Sequence, residues 1–337
     1  MPEEDSDWGG KLWAVADLVT PMVVRVAATL RLADHIVAGR RTADALAEAV
    51  DADPDALGRV MKHLVTAGVL TRSEDGVHQL TDLGEELRDD HPKGLRALLD
   101  LDGALGHATR CFVDLLHTVR TGEPAFRHFY GRSFWEDLSE HPERGASFDA
   151  LMGARLVADA PVVATAYPWG TLGHVVDVGG GDASMLIAIL RRHENLRGTV
   201  VDLAGPVGRA RQAIEAAGLG DRGDARVGSF FDALPAGAGG YVLSGVLHDW
   251  DDPDALRILR RCSEAAAASG RVLVVDHFGD EVPGVSDTEG DLNMLCYVGG
   301  RERSFEELGE LAAKAGLGVG SVVQAGMRTV TELVPSG

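Results

Sequence analysis

Hydrophobic and polar positions divide the chain into three stretches of different periodicity. Over residues 12–38, apolar side chains recur at helical spacing (Leu12, Val15, Ala16, Val19, Val23, Val26, Ala27, Leu30) and cover more than one face. A helix with so much apolar surface points to a partner chain, so the pattern predicts a homodimer. Residues 42–50 predict a short helix with Thr42 as N-cap, and Asp53-Pro54-Asp55 caps a second over 56–67 that stops at Gly68. Residues 69–80 then read as two strands about an Asp75-Gly76 turn, completing a winged-helix-like order of helix, helix, hairpin. From Leu95 to Tyr167 the pattern is helical and rich in aromatics (Phe126, Phe129, Tyr130, Phe134, Trp135, Phe148).

After Gly173, short apolar strands at 174–178, 199–203, 225–228, 241–247 and 271–277 alternate with helical runs, the order of a doubly wound parallel sheet. Residues 317–323 and 328–334 are separated only by Gln324-Ala-Gly-Met327 and predict an antiparallel hairpin. The expected fold is α/β, mostly parallel with one antiparallel strand. It divides into a mostly helical, winged-helix-like domain (1–95), a helical substrate-covering region (96–168) and a ligand-binding domain (169–337).

Composition narrows the partners. The 337 residues are 45% hydrophobic and 25% charged, as in ordinary soluble proteins, but the net charge is −20. Between residues 40 and 90, six Lys/Arg stand against twelve Asp/Glu, and the second helix offers only Arg59 and Lys62. A winged helix of that charge suits dimerisation better than DNA, so a regulatory, nucleic-acid-binding role is the weaker alternative. The three cysteines, Cys111, Cys262 and Cys296, have no CxxC spacing and read as reduced and apolar, with no metal site. The acidic start Met1-Pro-Glu-Glu-Asp-Ser-Asp lacks a signal peptide's features, and Asp17, Pro21 and Arg25 interrupt the first apolar run. The expected location is the cytoplasm, away from membranes.

The richest segment is His174-Val-Val-Asp177-Val-Gly-Gly-Gly181-Asp-Ala-Ser184, with Asp202 closing the next strand 21 residues after Gly181. Glycines after a strand let the backbone approach a ligand, and an acid at the second strand end accepts the hydroxyls of a ribose. Ser184 stands where a dinucleotide fingerprint wants Gly or Ala, and Asp177 would repel a pyrophosphate. A nucleoside cofactor that lacks phosphates and carries positive charge fits, and S-adenosylmethionine is such a molecule. The run Tyr241-Val-Leu-Ser-Gly-Val-Leu-His248-Asp249-Trp250-Asp-Asp252-Pro253 places His248 just beyond a central strand, with Asp252 and Pro253 expected to cap the following helix. In open α/β sheets ligands bind at that edge.

Asp177-Val-Gly-Gly-Gly, Gly228-Ser-Phe-Phe-Asp-Ala-Leu-Pro235, Val246-Leu-His-Asp-Trp250 and Gly299-Gly-Arg-Glu-Arg-Ser304 resemble, in order, the motifs of the small-molecule O-methyltransferases. That family includes plant phenolic enzymes and bacterial enzymes that tailor aromatic polyketide antibiotics. The resemblance spans essentially the whole chain. It implies a class I methyltransferase domain, an N-terminal domain for dimerisation, S-adenosylmethionine as methyl donor and S-adenosylhomocysteine as product, and an aromatic hydroxyl as acceptor. Some relatives keep the cofactor but hydroxylate, which gives an alternative chemistry.

Position by position, the resemblance implies that Gly179 and Gly181, beside Asp177, hold the methionine part, Asp202 the ribose, and Ser229, Phe230 and Phe231 the adenine. Ser244 would lie near the amino-acid end. Many relatives carry Asp where Ser229 stands, so the adenine contact is weaker or rerouted here. His248 becomes the general base, with Asp276 and Glu302 as acids that orient it or balance its charge. Asp276 is short for that position, which shifts the orienting role towards Glu302. Asn293, Met294 and Tyr297, with Trp135, Met152 and Asp249, would line a flat acceptor slot.

Overall fold

The computed structural model describes residues 10–277 and 288–336. The acidic segment before Gly10, read above for targeting, lies outside the described residues. The chain packs as two compact units that divide between His107 and Ala108.

The first unit holds α1 (Lys11–Ala16), α2 (Val19–Thr29), α3 (Leu32–Val37), α4 (Ala43–Ala49), α5 (Pro54–Thr66), the hairpin β1 (Leu70–Arg72) and β2 (His78–Leu80), then α6 (Asp82–Glu85) and α7 (Leu95–Leu99). The apolar run expected as one helix is three. Asp17 interrupts it by capping α2, its carboxylate accepting the amides of Val19 and Thr20 at 2.9 and 3.0 Å. Arg31, left-handed at φ 52°, separates α2 from α3. The expected caps form: Thr42 accepts from the Ala45 amide and Asp53 from that of Ala56. Gly76, at φ 78°, supplies the hairpin's left-handed turn position. Ala28, Leu32, Ile36, Leu46, Met61, Leu64 and Leu70 make the core. Leu12, Val15 and Leu18 stay 80%, 82% and 69% exposed, an apolar face unmatched among the described residues of the unit.

Helix α8 (Ala104–Thr109) runs over the boundary, and α9 (Leu115–Thr121), α10 (Ala125–Tyr130), α11 (Phe134–Glu140) and α12 (Pro142–Ala166) follow. Next come β3 (His174–Val178), α13 (Ser184–Arg192), β4 (Arg197–Asp202), α14 (Ala204–Ala216), β5 (Gly223–Val227) and β6 (Gly240–Ser244). The chain ends with α15 (Asp252–Ala266), β7 (Arg271–Asp276), α16 (Thr288–Tyr297), α17 (Phe305–Lys314), β8 (Leu317–Ala325) and β9 (Arg328–Pro335).

The sheet runs β5-β4-β3-β6-β7-β9-β8, with β9 antiparallel to both neighbours and every other pair parallel. Strand order reverses between β3 and β6, so their carboxyl ends flank the crevice where such sheets bind ligands. The central strands β3, β4, β6 and β7 are buried on both faces, which is why they read as near-continuous apolar runs. Val175, Val200, Val242 and Val275 pack towards α12, α13 and α14, and Val176, Leu243, Val272 and Val274 towards α15 and α17. Among the described residues no helix is long and apolar enough to cross a membrane.

Candidate active site

Both parts of the site stand at the carboxyl edge of the central strands. Beyond β3, Gly179 and Gly181 take φ of 73° and 58°, and Ala183 follows at 71°, so the loop curls back in a conformation that side chains resist. A Cβ on Gly179 would approach Val246 and Phe230 to 3.0 and 3.4 Å, whereas one on Gly181 would meet open space. Asp202, ending β4, accepts the Gly181 amide at 2.9 Å through one carboxylate oxygen and the Leu203 amide at 2.6 Å through the other.

Asp177 is buried, and neither of its oxygens has a hydrogen-bond partner among the described residues. Burial pushes its carboxyl up to about 7, and the neighbouring charges of Asp202 and Asp182 push the same way. The buried hydroxyl of Ser244 is also unpartnered among the described residues. Asp149, on α12, pairs with Arg209 close enough to feel Asp202 and Asp182. Gly153 brings α12 onto the loop, since a Cβ there would come within 2.5 Å of Asp182. A curled glycine loop ringed by carboxylates, with orphaned acceptors beneath it, fits a cationic, phosphate-free nucleoside.

Ser229 turns its hydroxyl to the Phe231 amide at 3.2 Å. Phe230 and Phe231 meet edge to face, both also edge-on to Trp250. Arg257 covers the Phe231 ring at 4.6 Å. Trp135, expected on the acceptor side, stacks on Trp250 with centroids 6.3 Å apart and meets Phe134 and Phe148 edge-on. It therefore joins the same ring cluster as the two phenylalanines. Met152 is half-buried beside Gly153.

The second part centres on His248. Strand β6 ends at Ser244 rather than continuing to residue 247, because Gly245 turns the chain at φ 62°. His248 then sits in a one-turn 3-10 helix, Leu247–Asp249. The cap of α15 is Asp251, which accepts the Asp254 amide, and not Asp252. The His248 Nδ1 lies 2.9 Å from Oε1 of Glu302 and 4.0 Å from Oδ1 of Asp276, while its Nε2 stands 3.6 Å from Asp249. Burial lowers the imidazole's proton affinity, but the charges of Asp276 and Asp249 and the Glu302 hydrogen bond override it and hold the pKa up to about 10. Asp249 is itself pushed up to about 7, by burial against the opposing pull of His248.

His248, Asp276 and Glu302 place ligand atoms within 4.8 Å of one another, close enough to hold a metal ion, although the sequence pointed to none. The Glu302 backbone is fixed by Asp291 on α16, which accepts its amide at 2.9 Å. Asn293 and Met294 sit half-buried on that helix, and Tyr297 is buried with its hydroxyl 3.1 Å from that of Thr109. Sequence reasoning missed Asp149, Asp182 and Arg303, although the first lies between Phe148 and Met152 and the others inside quoted motifs.

Residues 112–318 match the O-methyltransferase domain family, and residues 13–90 the O-methyltransferase dimerisation domain. The 2,7-dihydroxy-5-methyl-1-naphthoate 7-O-methyltransferase of Streptomyces carzinostaticus is 56% identical over 309 residues, 91% of this chain and 92% of that protein. Aclacinomycin 10-hydroxylase RdmB of Streptomyces purpurascens is 47% identical over 333 residues, 97% of this chain and 88% of its own. The crystal structure of the O-methyltransferase NcsB1 from neocarzinostatin biosynthesis, in complex with S-adenosylmethionine and 2-hydroxy-5-methyl naphthoic acid, superposes with a TM-score of 0.92 at 52% identity, covering 96% of this chain and 98% of that one. With its doubly wound sheet, its glycine loop and these relatives in agreement, the chain belongs to the O-methyltransferase family.

Proposed function

We propose that this enzyme methylates a phenolic hydroxyl on a fused aromatic acceptor in bacterial antibiotic biosynthesis, with S-adenosylmethionine as donor and His248 as the proton acceptor. The observation that carries the reading is the pairing of His248 Nδ1 with Glu302, which fixes the ring, while Nε2 stands 3.6 Å from Asp249, beyond hydrogen-bond distance. When bound, S-adenosylmethionine supplies an activated methyl group on a sulfonium centre.

The protein's part is to bind, align and move one proton. Asp202 would hold the ribose, Phe230 and Phe231 the adenine, and Asp177, with Ser244, the cationic amino-acid end. A phenol of pKa about 10 is a weak nucleophile until deprotonated, and an imidazole of similar proton affinity takes that proton at little cost. Asp276, Asp249 and Glu302 balance the imidazolium that results. Met152, Asn293 and Met294, with Trp135, Tyr297 and Asp249, supply the acceptor's apolar wall and polar handles. The naphthoate-acting relative supports a fused-ring acceptor. The exposed face of Leu12, Val15 and Leu18, at the start of the dimerisation-domain match, supports a homodimer.

Mass spectrometry of reactions with hydroxynaphthoates and hydroxyanthraquinones tests the reading. A gain of one methyl group is expected, unaffected by chelator, and lost at least a hundredfold in His248→Ala with cofactor affinity retained. A gain of one oxygen atom instead would assign the chemistry named for RdmB. Loss of turnover on chelation would turn the His248–Asp276–Glu302 set into a metal site.

A further inference from the structure

His248 and Glu302 come from segments 54 residues apart, and neither lies in a regular strand or an α-helix. Their 2.9 Å contact therefore depends on whatever holds the 247–252 turn against the 299–303 loop. Three features do so. Gly300 packs so closely that a Cβ would fall 2.0 Å from the His248 carbonyl oxygen. The Arg301 amide donates to that same carbonyl at 2.8 Å. Arg303, only 6% exposed, spreads its guanidinium over the turn: Nη1 donates to the Leu247 carbonyl at 2.6 Å, and Nη2 to the Trp250 carbonyl at 2.8 Å. Its Nη2 and Nε also donate to Oδ1 of Asp252 at 2.8 and 3.1 Å.

The two carbonyls bracket His248 and Asp249 on either side. A planar fork can grip both at once, which a lysine's single ammonium cannot match. The backbone of Arg303 directly follows Glu302, so the grip that fixes the turn also fixes the acid.

We propose that Arg303 is a positioning residue for methyl transfer: its guanidinium locks the turn bearing His248 onto the loop bearing Glu302, setting the imidazole's orientation towards the acceptor. The proposal rests on the reading of His248 as proton acceptor. A buried arginine that merely stabilised the fold would leave the His248–Glu302 bond intact once the variant had folded.

The test uses Arg303→Met and Arg303→Lys in the full-length protein saturated with S-adenosylhomocysteine. Ring-15N-histidine NMR follows the titration of His248, identified by its loss in His248→Ala. Circular dichroism and S-adenosylhomocysteine calorimetry confirm that each variant is folded. In Arg303→Met, titration should move to lower pH as Glu302 loses its hold on the ring, and kcat should fall roughly ten- to a hundredfold with KM for the donor little changed. Arg303→Lys should recover part of both. Should the Met variant fail to fold, Arg303→Lys and Gly300→Ala carry the test, each expected to shift the titration in the same direction. A shifted titration with unchanged turnover would keep the grip on the imidazole but overturn its part in methyl transfer, together with the reading of His248 as the base. A wild-type titration in a folded variant would overturn the proposal, whatever its turnover.

Discussion

Glu302, not Asp276, makes the hydrogen bond to His248: Oε1 lies 2.9 Å from Nδ1, against 4.0 Å for the nearest Asp276 oxygen. Yet among the charges that raise the imidazole's proton affinity, Asp276 acts more strongly than Glu302. On the proposed reading of His248 as proton acceptor, the two acids would divide the work of a triad acid into orientation and charge. Glu302→Ala should lower kcat by roughly a hundredfold by freeing the ring, whereas the isosteric Asp276→Asn should chiefly move the acid limb of the pH–rate profile downwards. Identical kinetic signatures for the two variants would contradict this division.

Asp202 ties the glycine loop to β4 through the Gly181 amide, and on the proposed reading it holds the ribose. Its removal leaves that amide unpaired and deletes a charged acceptor. The loss of a hydrogen bond to a charged group costs about 1.5–3 kcal/mol, so Asp202→Ala should weaken S-adenosylhomocysteine roughly ten- to a hundredfold. Calorimetry reads this directly, and an unchanged Kd would place the nucleoside elsewhere.

Leu12, Val15 and Leu18 together expose an apolar face that charge would spoil. The double substitution Val15→Asp, Leu18→Asp should convert a dimer into monomers or aggregates in sedimentation at micromolar concentration. A wild-type protein that sediments as a compact monomer would rule out the dimer.

The strands that carry the site were legible because a parallel sheet buried on both faces writes itself as runs such as Val272-Leu-Val-Val275. The capped helices α4 and α5 were legible for a similarly local reason, Thr42 and Asp53 each standing three residues before the amide they accept. What failed was punctuation. Gly245 ends β6 three residues early, and Asp17 and Arg31 break one apolar run into three helices, because periodicity carries no record of a local turn or of an acid that caps the helix after it. The Asp149–Arg209 pair and the Arg303 grip join residues 60 and more than 50 positions apart. Such pairings exist only once the sheet has assembled, so no window along the chain displays them.

His248 also makes the pH dependence of the enzyme a sharp test. Asp249, Asp276 and Glu302 face the imidazole and, against burial, hold its pKa up to about 10, so at neutral pH the ring is mostly an imidazolium and cannot accept a proton. Turnover should therefore rise from pH 7 towards pH 9, the neutral base growing roughly tenfold per unit while pH stays below the pKa. The sign for stability is opposite. A pKa raised in the folded state contributes stability that is fully present below the unfolded value of about 6.5 and is lost as pH rises through about 10. Asp177 and Asp249, pushed up to about 7 mainly by burial, favour the fold when protonated and withdraw that support as pH climbs from about 4 to about 7. Alkaline conditions should thus speed the enzyme while lowering its Tm, so rate and melting must be measured together across the range. A rate that levels off near the ordinary histidine value of about 6.5 would show that the carboxylates leave His248 unshifted in the working enzyme.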